Sequence, residues 1–285
     1  MIPHAPATRL KTRADELARG LAENGHNVEI YQRRKQEPGL GPLGKMMWHL
    51  REAGRGVRFE KVDEKIGWVF PPTLHYSSPL QRRFDLYASQ LLHRRRSDVT
   101  VSSAFGGPSF PARKGEHGHL VYDYVDDHAA GWRHAGETRL ARRVEAFMAR
   151  EISRADSLIA SSRYLVEEAR TRFGRQALYV PNGANVERIR AEVPEERAEG
   201  PLKVFYMGGL DYFVNLAWPL EAIEDLRRKG LGLELWIAGS GPAVDGKSFP
   251  SWVKPLGFRS PGEIPGLLAQ MDIGIVPFEL SPFTD

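Results

Sequence analysis

The chain has 285 residues, 41% of them hydrophobic and 27% charged, with a net charge of +4 and no cysteine. That balance excludes a disordered chain, and the missing cysteine removes disulfides, thiolate catalysis and cysteine zinc sites, as suits a cytoplasmic enzyme. The small net charge hides an asymmetry: residues 1–180 hold 30 Lys and Arg against 21 Asp and Glu, and residues 181–285 hold 10 against 15. A basic half beside an acidic half suggests that the first half meets something anionic. No run of eighteen apolar residues exists to span a bilayer. Met1-Ile2-Pro3-His4 has no apolar core behind it, so no leader is expected.

In chain order, Lys11 to Asn24 reads as a helix with Leu17, Leu21 and alanines as its apolar stripe, and Gly25 ends it. Asn27 to Tyr31 is a strand. Residues 32–65 read as irregular, Gly-rich and basic. Ile66 to Phe70 is a strand stopped by Pro71-Pro72. Pro79 to Arg95 reads as a helix, Asp98 to Ser102 as a strand, Gly106-Gly107-Pro108 as a loop and Leu120 to Val125 as a strand. Glu137 to Ser153 is a long helix that delivers Arg154-Ala155-Asp156 into the strand Ser157 to Ala160. Ser161 and Ser162 cap a further helix with Leu165, Val166 and Ala169 on one face. The strand Ala177 to Val180 ends at Pro181-Asn182-Gly183, because proline cannot donate to the ladder and Asn-Gly readily takes positive φ.

Ala191 to Pro201 has linker composition. A second series follows: strand Leu202 to Met207, helix Leu216 to Lys229, strand Leu233 to Ala238, strand Val253 to Gly257, helix Glu263 to Gln270 and strand Ile273 to Val276. Strands alternating with helices imply parallel sheets built from right-handed βαβ units. The expected class is α/β, with two doubly wound domains at 1–190 and 202–285 and a linker at 191–201.

Ligands of parallel sheets sit beyond the carboxyl ends of the strands. The stretch Tyr122-Asp123-Tyr124-Val125-Asp126-Asp127-His128 gathers three carboxylates and a histidine at one such end, where they repel unless they act or are paired. A carboxylate there could take the proton of a hydroxyl. An aspartate there could equally cap the next segment. In the second half, Gly208 and Gly209 end the first strand, where bare backbone can approach a diphosphate. Gly239 and Gly241 end the next, in Ala238-Gly239-Ser240-Gly241-Pro242. A tight turn without ligand contact accounts for these glycines equally well.

These motifs resemble GT-B-fold glycosyltransferases of the family 4 and family 1 type, close to bacterial exopolysaccharide and teichuronic-acid enzymes. The resemblance is carried by LARGLAENGHNVEIY at 17–31, VYDYVDD at 121–127, ADSLIASS at 155–162 and the PNG turn at 181–183. It covers nearly the whole chain, and both ends look cut: the opening strand is short, and the chain stops before the helix whose glutamates hold the donor in that family. It implies two Rossmann-like domains facing a cleft, the second incomplete. By the resemblance Asp126, then Asp127, faces the acceptor, and His128 touches sugar. Asn182 and Gly183 lie at the cleft edge, and Ser161 matches a family serine. The donor falls to Gly208, Gly209, Gly239 and Gly241, with Phe258 and Arg259 by the base and Phe278 and Glu279 by the sugar. The family's arginine and lysine for the diphosphate are replaced here by Gly209 and Asn215; backbone donors or Arg259 are the expected substitutes.

The resemblance implies transfer of a sugar from a nucleoside-diphosphate donor to a saccharide or lipid-linked acceptor, with no metal or other cofactor and no nucleic acid. Asp126 acts as base if the reaction inverts, and orients the sugar if it retains. The rival readings are an inactive binding module of the same fold and a nucleotide-sugar epimerase. Gly44-Lys45-Met46-Met47-Trp48-His49-Leu50-Arg51, with Arg55, Arg58, Arg82, Arg83 and Arg94-Arg95-Arg96, mixes apolar residues and cations in a way that suits an anionic membrane surface, hence a peripheral location at its inner face.

Overall fold

A computed structural model describes residues 13–31, 44, 47, 51, 58–62, 64–70, 97–103, 118–183, 186–187, 199–211, 213–260 and 262–280. The expected helix at 79–95, the loop at 106–108, most of the basic stretch at 44–51 and nearly all of the linker lie outside them. The chain divides into two compact units, Met1–Asn182 and Gly183–Asp285. No helix among the described residues is long and apolar enough to cross a membrane.

Unit 1 opens with helix α1 (Arg13–Glu23) and strands β1 (Val28–Tyr31), β2 (Arg58–Lys61) and β3 (Ile66–Phe70) in the order β1-β3-β2. Ala14, Ala18 and Ala22 repeat every four residues, so they share one face of α1, and all three are buried. Ala18 and Ala22 form a core cluster with Val28, Ile30 and Ile66. The larger Leu21 is exposed and only edges the stripe expected of it. β1 runs parallel to β3, but β2 runs antiparallel to it. β2 thus corrects two expectations, that residues 32–65 are irregular and that the strands pair only in parallel.

A second sheet of unit 1 has the order β4-β5-β6-β7, all parallel: β4 (Val99–Ser102), β5 (His119–Tyr124), β6 (Ser157–Ala160) and β7 (Leu178–Tyr179). Side chains alternate across a strand. Leu120, Tyr122 and Tyr124 of β5 therefore enter one core cluster, with Ala129 of α2 (His128–His134), Val144, Met148 and Ile152 of α3 (Thr138–Arg154) and Leu165 and Ala169 of α4 (Arg163–Phe173). Asp123 falls on the opposite face. α2 is a seven-residue helix that the sequence reading did not anticipate.

Some helix ends are satisfied by side chains. Ser162, in extended backbone, accepts from Leu165 N and starts α4; Gly174, at φ 63°, ends it. The Arg175 guanidinium donates to Ile152 O and Ala155 O, both at 2.7 Å, covering carbonyls at the C-terminus of α3. Arg175→Met strips a charged donor from these half-buried carbonyls and is expected to lower unfolding free energy by about 2 kcal/mol. A urea midpoint unchanged from the parent would contradict that role.

Unit 2 is one parallel sheet in the order β10-β9-β8-β11: β8 (Leu202–Met207), β9 (Leu233–Ala238), β10 (Val253–Gly257) and β11 (Ile273–Gly274). Helices α5 (Ala217–Arg228) and α6 (Ile264–Leu268) provide connections. Leu235 and Ile237 at the sheet centre pack with Val204, Leu210, Leu216 and Ile223. The chain proceeds outward from β8 to β10 and then returns to the far side of β8, so strand order reverses between β8 and β11.

Candidate functional site

In unit 1 the carboxyl end of β5 sorts the three aspartates by local geometry. Asp123, on the face away from the tyrosines, is met by Arg13 of α1. The Arg13 Nε lies 2.9 Å from Oδ2, and Nη2 donates to Oδ1 at 3.1 Å. Both side chains are nearly out of solvent, 8% and 3% exposed. The third guanidinium nitrogen, Nη1, donates to Asn182 Oδ1 at 3.1 Å. One arginine thus joins α1, the end of β5 and the turn after β7.

Asp127 is the N-cap of α2: its Oδ1 accepts from Ala130 N at 3.0 Å, and its Oδ2 pairs with Arg172 at 2.9 Å. Arg172 also pairs with Glu145 of α3 and Glu168, and Arg133 pairs with Glu145 at 2.9 Å. The hydrogen bonds to Arg172 and the two arginine charges hold the Glu145 carboxyl below its ordinary range, offsetting its partial desolvation. Asp127 is occupied by capping and pairing.

Asp126 sits between two fixed points. On one side the Ser161 hydroxyl donates to Val125 O at 2.6 Å; on the other stands the Asp127 cap. Asp126 is exposed as a residue, yet protein crowds its carboxyl group. That desolvation, and secondarily the Asp123 carboxylate, push its pKa up to about 6. His128 is half-buried at the start of α2, its N–H bonded to Asp126 O at 2.9 Å. The strand end therefore presents one carboxylate that neither caps nor joins the described ion pairs, with His128 beside it.

In unit 2 the loops after the four strands form a continuous edge. Gly208 N donates to Ala238 O and Gly239 N to Gly257 O. Across the reversal point, Val214 pairs with Phe278, Asn215 N donates to Pro277 O, and Glu279 N to Phe213 O. The rings of Phe213 and Phe278 meet edge to face at 5.1 Å, and the Asn215 amide reaches Glu279 at 3.4 Å. So Gly208, Gly209, Phe278 and Glu279 gather where a parallel sheet of this order holds ligands.

The glycines have an internal reason to be there. A Cβ on Gly239, at φ 149°, would lie 2.0 Å from Gly208 O, and one on Gly241, at φ 148°, would lie 2.6 Å from Leu210 O. These two positions are bare because the β8 loop lies against them. The Tyr206 hydroxyl pins that loop by donating to Gly209 O at 2.7 Å. Phe258 is exposed beyond β10. Arg259 is paired with Glu263 at 3.3 Å, while Ser260 N and Oγ also donate to Glu263. The β8 loop brings no arginine or lysine of its own, and it carries Asp211.

The glycosyl transferase 4-like domain family matches residues 10–183 of this sequence. The chain belongs to that family. The match contains the strand end bearing Asp126 and the whole Arg13–Asp123–Asn182 cluster. Relatives in Mycobacterium tuberculosis include the glycogen synthases of strains CDC 1551 / Oshkosh and H37Rv, each 26% identical over 170 residues.

 The alignments take in 54% of this chain, which spans only 39% of the length of those two proteins. A solved structure, OtsA in its apo form, superposes with a TM-score of 0.58 at 9% identity, over 96% of this chain and 76% of that one. At that identity the likeness speaks for fold alone, and the fold is the GT-B type expected. Within this glycosyl transferase 4-like chain, the sequence reading missed Arg13, whose partners lie 110 and 169 residues away. It also took Ser161 for a helix cap, whereas Ser162 caps and Ser161 holds Val125 O.

Proposed function

We propose that this chain is the substrate-binding part of a glycosyltransferase that moves a sugar from a nucleoside-diphosphate donor to a saccharide or lipid-linked acceptor, in the synthesis of bacterial surface polysaccharide. Family membership and the GT-B fold support the reaction class. The observation that carries the reading is Asp126, a carboxylate at the end of β5 that neither caps a helix nor joins the described ion pairs, with its pKa raised to about 6 by crowding from protein. A base poised near working pH removes a proton most effectively. A carboxylate that only orients a sugar needs no such shift, so the base role, and with it an inverting reaction, is the one favoured.

In this reading the acceptor hydroxyl meets Asp126 as its oxygen bonds to the anomeric carbon. The bond to the diphosphate breaks, and the proton passes to the carboxylate. The edge around Gly208, Gly209, Phe278 and Glu279 receives the donor. Backbone N–H groups and Arg259, drawn from Glu263, meet its phosphates, and Phe258 meets the base. No cation is assigned a role, so transfer is expected to persist in a chelator.

The test is the pH dependence of transfer. At saturating donor and acceptor the rate is expected to rise with pH and level off above about 6, as Asp126 loses its proton. A flat profile from pH 4 to 8 would remove the base assignment. Failure of both UDP and GDP to bind in calorimetry would favour a chain that holds saccharide without transferring it.

A further inference from the structure

Two asparagines in the chain, Asn24 and Asn182, precede a glycine. In such a pair the glycine backbone nitrogen can attack the side-chain amide carbon, because no Cβ obstructs the ring that forms. Both pairs are exposed, so access to water does not tell them apart, whereas hydrogen bonding does.

At the end of α1 the reacting groups are taken. Gly25 N donates to Ala22 O at 3.0 Å, Asn24 Nδ2 donates to Gly20 O at 2.8 Å, and Gly25 is held at φ 96°. Ring closure there has to break the helix end. In the turn after β7 the same groups are open: among the described residues, neither Gly183 N nor Asn182 Nδ2 makes a hydrogen bond. Gly183 lies outside the left-handed region and a Cβ on it would meet nothing within 4 Å, so the turn does not need glycine for its shape. The one bond that the Asn182 side chain makes favours attack. Arg13 Nη1 donates to its Oδ1 at 3.1 Å, and Asp123 holds the guanidinium in place through Nε and Nη2. A guanidinium only donates, so it fixes the amide with oxygen inward and nitrogen outward. A charged donor on that oxygen stabilises the oxyanion of a tetrahedral intermediate.

We propose that Asn182-Gly183 is a self-modification site, at which the folded chain, with Arg13 polarising the amide, closes a succinimide that water opens to aspartate or isoaspartate. The bond from Gly183 N to Asn182 Cγ forms as the Gly183 N–H proton passes to solvent. The Cγ–Nδ2 bond breaks, and the nitrogen takes a proton from water and leaves as ammonia. Water then adds to one of the ring carbonyl carbons and the C–N bond at that carbon breaks. No oxidant or reductant takes part. Opening at Cγ gives aspartate, which sets a second carboxylate on Arg13. Opening at the backbone carbonyl gives isoaspartate, which adds a methylene to the main chain where unit 1 gives way to unit 2. The inference stands whether or not the chain transfers sugar.

The experiment incubates the whole folded chain at neutral pH and maps its peptides by mass spectrometry, with hydroxylamine to trap the cyclic imide. Each hydrogen bond that has to break before ring closure slows it, so Asn182 is expected to convert at least about tenfold faster than Asn24. In urea both sites lose their surroundings and should convert at similar rates. Gly183→Ala, which the open space there accommodates, is expected to slow conversion at residue 182 severalfold and leave Asn24 as it was. Arg13→Lys keeps the charge beside Asp123 but offers a single nitrogen in place of three. It is expected to lower the ratio of Asn182 to Asn24 conversion severalfold. Unfolding exposes both sites alike, so the ratio separates lost polarisation from lost stability. Equal rates in the folded chain, or faster reaction at Asn24, overturn the proposal. So does a gap that persists in urea, which would trace the difference to local sequence, and so does an unchanged ratio in Arg13→Lys.

Discussion

Asp126→Asn is expected to cut sugar transfer by about 10²–10⁴-fold with little change in donor affinity. The amide keeps the shape of the side chain and its place between the Ser161-held Val125 carbonyl and the Asp127 cap. What it loses is the ability to receive a proton. The same substitution should make the protein more stable. The folded-state pKa of Asp126 is raised to about 6 from an ordinary 3.8. As pH rises between those values the unfolded chain sheds its proton first, so the parent loses stability across that window and carries the full penalty above it. The asparagine carries none. Because the residue is exposed, the gain at pH 7 is set at about 1 kcal/mol, well under the full linkage value. An enzyme that loses activity and stability together would point to a structural role for Asp126. Transfer within a few-fold of the parent would remove it as the base.

Arg13→Met is expected to lower stability by about 3–5 kcal/mol, because it leaves the Asp123 carboxylate in a site only 3% exposed without its bidentate partner. Much of that loss is the cost of stranding a charge. Arg13→Met/Asp123→Asn should therefore recover more than half of it in denaturant unfolding, although it has fewer polar contacts than the parent. The cycle is informative because the two residues touch directly. If the double variant were as unstable as the sum of the singles, the pair would be two unrelated contributions rather than one interaction. Removing Arg13 also frees the Asn182 side chain, so faster exchange of amides near residue 182 should accompany the destabilisation.

The strands with strong apolar content were legible from the sequence. β3, β6, β8, β9 and β10 fall on the residues expected. β2 was not, because Arg58-Phe59-Glu60-Lys61 has one apolar residue and gains its strand from pairing with β3. α2 was hidden for a related reason: seven residues with a glycine show no helical period, and the cap that starts it is an aspartate already counted as a catalytic candidate. The choice between Asp126 and Asp127 could be ranked but not decided from sequence. Neighbouring residues of one type differ here only in which of them the backbone turns toward Ala130 N and Arg172. Arg13 gave no local sign at all, since what makes it matter is the meeting of α1 with a strand 110 positions on.

The space at Gly239 and Gly241 is taken up by the carbonyls of Gly208 and Leu210. A glycine-rich signature of this kind would ordinarily be mutated to probe what the protein grips. Here a library randomised at those two codons would sort clones by solubility long before it could rank them by preference for one nucleotide over another. If the proposed donor site is right, engineering of donor choice belongs instead at Phe258, whose exposed side chain can change without disturbing how those loops lock together.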